Sequence, residues 1–182
     1  VLLRIALFPL ALAFMSFLVA ATGSLSGSQV RHATTRAMRF AGTSLALAAG
    51  LGITLAGTLG GYFNLPLNEL VGLHVGWGLL GWVGLLVMGV AYQVVPMFQL
   101  TPAYPARLTR WLGGSVFLLL CGWSLAPQLP LPLATWGTSL TAASLAIGFA
   151  LFAGTTLYLH KKRRRKLVDV TLQFWRTGML SL

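Results

Sequence analysis

Five long apolar segments follow one another along the chain, separated by short stretches rich in polar residues or proline. The segments cover residues 2–22, 40–63, 70–98, 108–127 and 133–159. At about 1.5 Å of rise per residue, each segment can cover the hydrocarbon core of a bilayer, which is about 30 Å thick. In lipid they must be helices, because open strands would leave backbone groups unpaired. The pattern predicts an all-α fold, a polytopic transmembrane helix bundle that forms a single domain over residues 1–182.

The C-terminal region, residues 160–182, is a basic tail with a second apolar stretch. Phe174 follows basic residues much as Phe40 does at the start of the second helix, and one interpretation is that a sixth spanning helix begins there. A shared belt of interfacial aromatic residues explains the same echo and is slightly favoured. A third alternative is an amphipathic helix over residues 167–182 that lies flat on the membrane.

Composition supports the membrane interpretation. The chain of 182 residues is 57% hydrophobic and 8% charged, whereas soluble domains carry about 25% charged residues. A small water-soluble domain leaves much of its surface exposed, so it cannot hide this much apolar area. Lipid is therefore the expected solvent and the expected partner of these helices.

Positive charge alternates between the connections. Arg31, Arg36 and Arg39 lie in the first, Arg107 and Arg110 in the third, and the second and fourth hold no Lys or Arg. With the tail included, twelve of the thirteen Lys and Arg residues fall on one side, Arg4 being the exception. The positive-inside rule then puts the N-terminus outside and the basic tail in the cytoplasm of a bacterial inner membrane.

The same distribution decides between alternatives for the net charge of +11. Six basic residues form one run, 161–166, directly after an apolar segment. This is how a cytoplasmic membrane flank looks, so a nucleic-acid partner is not expected. A cleaved signal peptide over residues 1–21 is also disfavoured, because it would put the first basic connection outside. A first residue other than Met and an apolar end at residues 178–182 suggest a fragment of a longer protein.

Residues suited to ordinary hydrolytic or transfer chemistry are scarce. The acids are Glu69 and Asp169, and the single cysteine, Cys121, excludes an internal disulfide and a Cys-based metal site. Of the three histidines, His32 is expected in a solvated loop and His160 at the interface, beside a helix C-terminus where a cation is favoured. No catalytic residue can be named from these groups.

His74 differs because it lies within the third apolar segment, where polar side chains are costly and often functional. At helical spacing it shares a face with small residues, among them Gly78 and Gly81. A strip without side chains would let a flat haem approach the backbone while the imidazole binds the iron. Helix–helix packing also favours small residues, and the Gly57/Gly61 pair of the second segment is interpreted as an example. The strip of small residues beside His74 is therefore ambiguous by itself.

This segment resembles the late haem-ligand helix in the catalytic subunit of haem-copper oxidases, particularly cbb-type oxidases and nitric oxide reductases. The residues that match in register are His74, Val75, Gly78, Leu80, Gly81, Trp82, Val83, Gly84, Gly89, Tyr92 and Pro96. The resemblance implies that His74 binds the iron of a high-spin haem. Gly76 stands where that family has a second histidine, which binds a low-spin haem, and the chain departs from the family there.

The leading hypothesis is therefore a haem-associated membrane subunit similar to oxidase subunit I, serving electron transfer or the reduction of a small gas molecule. If it is an enzyme, it is an oxidoreductase. Its cofactor would be haem on His74, with clearance at Gly78 and Gly81, and its partners other subunits or missing helices of the same chain. The alternatives are a structural or accessory subunit without haem, and a transporter or channel, which usually shows charged or broken helices near the midplane.

Overall fold

The computed structural model describes residues 2–26, 33–164 and 170–182, and within these ranges the regular structure is helical. The helices are α1 (Leu2–Ser26), α2 (Ala33–Leu59), α3 (Leu67–Gln99), α4 (Ala106–Leu125), α5 (Leu133–Lys161) and α6 (Val170–Leu180). The first five are long and apolar enough to cross a membrane. The predicted all-α fold with five spanning helices is thus confirmed.

The bounds of α2 differ most from the predicted segment, at both ends. It begins at Ala33 rather than near residue 40, so Arg36 and Arg39 lie in its first turns instead of a connection. The Arg39 guanidinium donates to the Leu25 carbonyl of α1 at 2.9 Å. Long basic side chains near a helix end can extend to the membrane interface. The helix can therefore begin before these charged residues.

At its other end α2 stops at Leu59, short of the predicted residue 63. Gly61 has a φ of 76°, in the left-handed region that favours glycine, and the Tyr62 N–H donates to the Gly57 carbonyl at 2.9 Å. This is the usual way a glycine ends a helix. A Cβ added to Gly57 would lie 2.7 Å from the Phe63 ring. The two glycines therefore form the turn after α2 and its contact with Phe63, rather than a motif for pairing helices.

The described chain divides into two compact units, residues 1–86 and 87–182, and the division falls within α3. The first unit contains α1, α2 and the first part of α3. Small side chains of α2 are buried there: Ala37, Ala41, Ser44, Ala48 and Ala49. No residue of the α1 span is buried, and Phe8 is 77% exposed. Such apolar surface is stable only against lipid or another apolar surface, so the chain is a multi-pass membrane protein.

The middle of α3 departs from regular α-helix. Eight residues, Trp77–Gly84, form a π-helix between the α-helical parts Leu67–Gly76 and Leu85–Gln99. Such wide turns are rare in proteins, and those that do occur are often found at functional sites. The segment packs against α2, and Trp77 and Gly81 are buried. Neither the spacing of apolar residues nor that of glycines along the sequence had indicated this π-helix.

The second unit contains the rest of α3 with α4, α5 and α6, and an aromatic cluster ties its first connection to α5. Tyr92, Tyr104 and Phe152 contact one another, with ring centroids 5.2–6.3 Å apart. The Tyr104 hydroxyl lies 2.9 Å from Thr156 Oγ1. Because Thr156 already donates its proton to the Phe152 carbonyl, Tyr104 is the donor. The predicted turn at 101–105 is therefore anchored by a buried tyrosine.

Helix α6 bears on the alternatives for the C-terminal region. It has 11 residues, Val170–Leu180. Leu172 and Met179 are buried while Phe174 is 74% exposed, and the helix packs against α5. The described residues thus contain a helix with one buried and one exposed face, as the amphipathic alternative predicts, and the start of a sixth span stays a prediction.

Candidate functional site

The His74 ring is held by the neighbouring helix. Its Nδ1 lies 2.9 Å from the backbone carbonyl oxygen of Ala48 on α2. A carbonyl oxygen only accepts hydrogen bonds, so Nδ1 carries the ring proton and donates. The lone pair of the neutral imidazole then sits on Nε2, the nitrogen that remains for a ligand or metal.

Gly52, one helical turn after Ala48, provides the space for this ring. A Cβ built on Gly52 would lie 2.9 Å from His74 Cε1 and 3.3 Å from Nδ1. Contacts below about 3 Å between such atoms require one of the groups to move. The local sequence of α2 therefore sets the approach of α3 at His74, and the hydrogen bond depends on glycine at position 52.

A cavity of about 600 Å³ lies beside His74 within the first unit. Its lining comes from α1, α2 and α3 and includes Leu10, Phe14, Ile53, Leu79 and Val83. Among the described lining residues, polar side-chain atoms belong to His74 and Trp82 alone. An apolar cavity of this size with one oriented polar group is the usual form of a small-molecule or cofactor site.

The two glycines predicted to clear space for a haem lie in different surroundings. Gly78 lines the cavity, and a Cβ added to it would meet nothing within 4 Å. Gly81 is buried against α2, where an added Cβ would lie 2.8 Å from Ser44 Cβ and 3.0 Å from its Oγ. The open face beside His74 is thus at Gly78, while the surface of Gly81 is already used by helix packing.

The donor set fits a haem bound through one axial imidazole. His74 supplies that ligand, and the cavity supplies an apolar space beside it. No other histidine, methionine or cysteine belongs to the described lining, and the described residues contain no group of three His, Cys, Asp or Glu side chains. A haem with two protein ligands from this lining does not fit. Arg and Lys side chains, which commonly pair with haem propionates, are likewise missing from the described lining.

The other residues with candidate chemistry lie apart from this cavity lining. Glu69 is exposed in the first turn of α3, as expected of a loop-side acid. His160 is at the end of α5 as predicted, and its side chain is only 1% exposed. Cys121 is half-buried in α4 as a free thiol. His32 and Asp169 lie outside the described residues.

His74 and Gly78, which the sequence singled out, both line this cavity, whereas Ala48, Gly52 and the π-helix were not predicted. The signal for Gly52 was present as a run of small residues in α2, 48–50 and 52, yet the run does not say which residue faces the histidine. That depends on the register between α2 and α3. No family model, curated protein or solved structure matches this chain.

Proposed function

We propose that this chain is a haem-associated subunit of a membrane complex, with His74 as the axial ligand of the haem iron through Nε2. The observation that carries the proposal is the hydrogen bond from His74 Nδ1–H to the Ala48 carbonyl. Metal-binding histidines almost always donate their other ring N–H to a carbonyl or carboxylate, which fixes the tautomer and raises the basicity of the ligand nitrogen. With the proton on Nδ1, the lone pair of Nε2 is left to bind the iron.

The surroundings of His74 support the same assignment. The open position at Gly78 leaves the backbone accessible to a flat ring. The lining of the cavity is apolar, which would keep water away from a bound ring. A bound haem would supply one-electron redox chemistry, which suits electron transfer or reduction of a small gas molecule. Gly76, in place of a second histidine, argues for one haem on this helix rather than two.

The membrane setting belongs to the same proposal. Charge distribution along the sequence favours a bacterial inner membrane, with the N-terminus outside and residues 160–182 on the cytoplasmic side. Residues of α1 are unburied along its whole span. Further membrane subunits, or further helices of the same protein, would cover part of this surface.

A structural or accessory subunit without haem is the second candidate, and the Gly81 contact favours it. Gly81 packs directly on Ser44, so part of the glycine strip is explained by close approach of α2 and α3. Under this alternative His74 pins the two helices together through its bond to Ala48, and the cavity is filled by lipid or a neighbouring subunit.

The deciding experiment is a reduced-minus-oxidised visible spectrum, with a pyridine haemochrome assay, on full-length protein purified under haem-replete conditions. Wild type is expected to show a Soret band that is lost or shifted in His74→Ala. The matched control is His160→Ala, a histidine outside the cavity lining, which should keep the band. A wild-type protein without a haem band would overturn the proposal and leave the structural role.

A further inference from the structure

The end of α5 gathers polar side chains in the second unit that the haem proposal does not use. We name Gln99, His160, Arg163 and Arg176 the basic cluster. Gln99 and His160 are each 1% exposed. The Arg164 N–H donates to the Leu100 carbonyl at 3.0 Å, which joins the residue after Gln99 to the residue after Arg163. Helix α6, which carries Arg176, packs on α5.

Several polar atoms of the basic cluster are buried without a hydrogen-bond partner. They are both ring nitrogens of His160, Nη1 of Arg163 and Oε1 of Gln99. Leaving a polar group buried and unsatisfied costs about 1–3 kcal/mol, and more for a charged one. Folded proteins seldom retain several such groups side by side. The cluster therefore has the hydrogen-bonding capacity of a site for a ligand.

The charge around these atoms identifies the class of ligand. Arg163 and Arg176 both act electrostatically on the His160 ring. Glu69 is the single carboxylate side chain in the part of the chain that the structure describes, and it belongs to the first unit. Two guanidinium groups and an imidazole are the partners of an oxyanion, and arginine forks match phosphate geometry best.

We propose that the basic cluster binds a phosphate group, with Arg163 and Arg176 pairing with its charge and His160 donating to it. The headgroup of an anionic phospholipid is the source that the setting favours. The cluster lies at the end of a spanning helix, and large apolar side chains next to it are exposed, Tyr158 at 53%, Val170 at 65% and Phe174 at 74%. Basic pockets at such helix ends bind anionic headgroups. Free phosphate would use the same donors but not the apolar surface.

The test is native mass spectrometry of full-length, detergent-purified protein titrated separately with phosphatidylglycerol, phosphatidylcholine and inorganic phosphate. Phosphatidylglycerol is expected to bind at one saturable site, and Arg163→Gln with Arg176→Gln to weaken it about tenfold or more, as loss of charge-assisted hydrogen bonds predicts. The matched control, Lys161→Gln with Arg164→Gln, removes the same charge from exposed side chains of the same helix end and should bind nearly as wild type.

Each other outcome is decisive. Equal weakening in both double variants, or equal binding of phosphatidylcholine, would mean general attraction to the basic tail and would overturn the proposal. Binding of inorganic phosphate with no preference for the lipid would keep the phosphate site and assign it to free anion. Binding that appears only in Asp169→Asn would mean that this carboxylate fills the site, which also overturns it.

If the double arginine variant fails to fold, His160→Gln and Arg163→Lys replace it. Each substitution keeps a hydrogen-bond donor but removes the imidazole ring or the guanidinium fork. Both should weaken phosphatidylglycerol binding and leave the thermal stability of the lipid-free protein close to that of wild type. Unchanged lipid binding in both would overturn the proposal. The haem spectrum of all these variants should equal that of wild type, so this result is independent of the assignment of His74.

Discussion

His74 of α3 and Ala48 of α2 are joined by a hydrogen bond of 2.9 Å between the Nδ1 and the carbonyl oxygen. The bond sets the tautomer of the ring and fixes the register of α3 against α2 at this point. It also connects three features that are separate in the sequence, namely a membrane histidine, a glycine at position 52 and an apolar cavity. A substitution that alters any one of the three should therefore also alter the other two.

Gly52→Ala should displace the His74 ring. The new Cβ would lie 2.9 Å from Cε1, so the ring or the helix must shift. Overpacking of this kind costs about 1–3 kcal/mol. The free energy of unfolding, measured in mixed micelles, should fall by about that amount, and the Soret band of any bound haem should weaken or shift.

Gly50→Ala is the matched control for Gly52→Ala. It lies in the same helix two residues earlier, and its added Cβ would meet nothing within 4 Å. Stability should be unchanged or slightly higher, because alanine favours helix over glycine by about 1 kcal/mol. Equal effects of the two substitutions would argue that the space at Gly52 has no bearing on His74.

The two predicted clearance glycines should separate packing from cofactor binding. Gly81→Ala would place a Cβ 2.8 Å from Ser44 Cβ, which is fixed to the α2 backbone and cannot swing away. We expect a loss of about 1–3 kcal/mol of unfolding free energy. Gly78→Ala meets nothing within 4 Å and should leave stability nearly unchanged.

A larger residue at the same place gives the converse measurement. Gly78→Leu projects into the cavity that His74 lines, so it should lower haem content in a pyridine haemochrome assay while thermal stability stays close to that of wild type. Normal haem content in this variant would place the cofactor outside this cavity. Loss of haem in Gly81→Ala at unchanged stability would instead show that Gly81 is part of the site.

A haem held by His74 alone should have one open axial position. The described cavity lining contains no second histidine, methionine or cysteine, and a five-coordinate ferrous haem binds carbon monoxide. Adding carbon monoxide to the reduced protein should therefore shift the Soret band quickly and completely. A band that does not respond would indicate two axial ligands, which the described lining cannot supply.

The sequence predicted those features that depend on composition along one segment. Apolar runs gave five spans, and all but the second lie within four residues of those observed at each end, because a helix in lipid needs little more than length and hydrophobicity. The end of α2 was misplaced since the preference of Gly61 for positive φ was attributed to helix pairing. Features that depend on how segments meet were not predicted.

His74 and His160 show the difference between these two kinds of feature. Position within an apolar run was enough to single out His74, but its partner Ala48 depends on the register of α2 against α3. His160 was expected at the end of a spanning helix because it borders a basic run, but the sequence did not indicate that it is buried with both ring nitrogens lacking partners. Its burial results from packing at the end of α5, which no local pattern specifies.

Tyr104 should make stability depend on pH in the alkaline range. It lies between α3 and α4, outside the spanning segments, and burial raises its pKa from 10.0 to about 12. The folded protein thus holds the phenol proton more tightly than the unfolded chain. This contribution is complete below pH 10 and is lost as the pH rises toward the folded pKa of about 12.

Tyr104→Phe isolates this effect. Near neutral pH the variant should be less stable by about 1 kcal/mol, because it loses the hydrogen bond to Thr156. Between pH 10 and 12 its unfolding free energy should fall less steeply than that of wild type, since phenylalanine has no proton to lose. Ultraviolet absorbance of tyrosinate, recorded with unfolding, identifies the group. Parallel curves for the two proteins would mean that Tyr104 titrates as an exposed tyrosine, and that the aromatic cluster of Tyr92, Tyr104 and Phe152 opens before the phenol ionises.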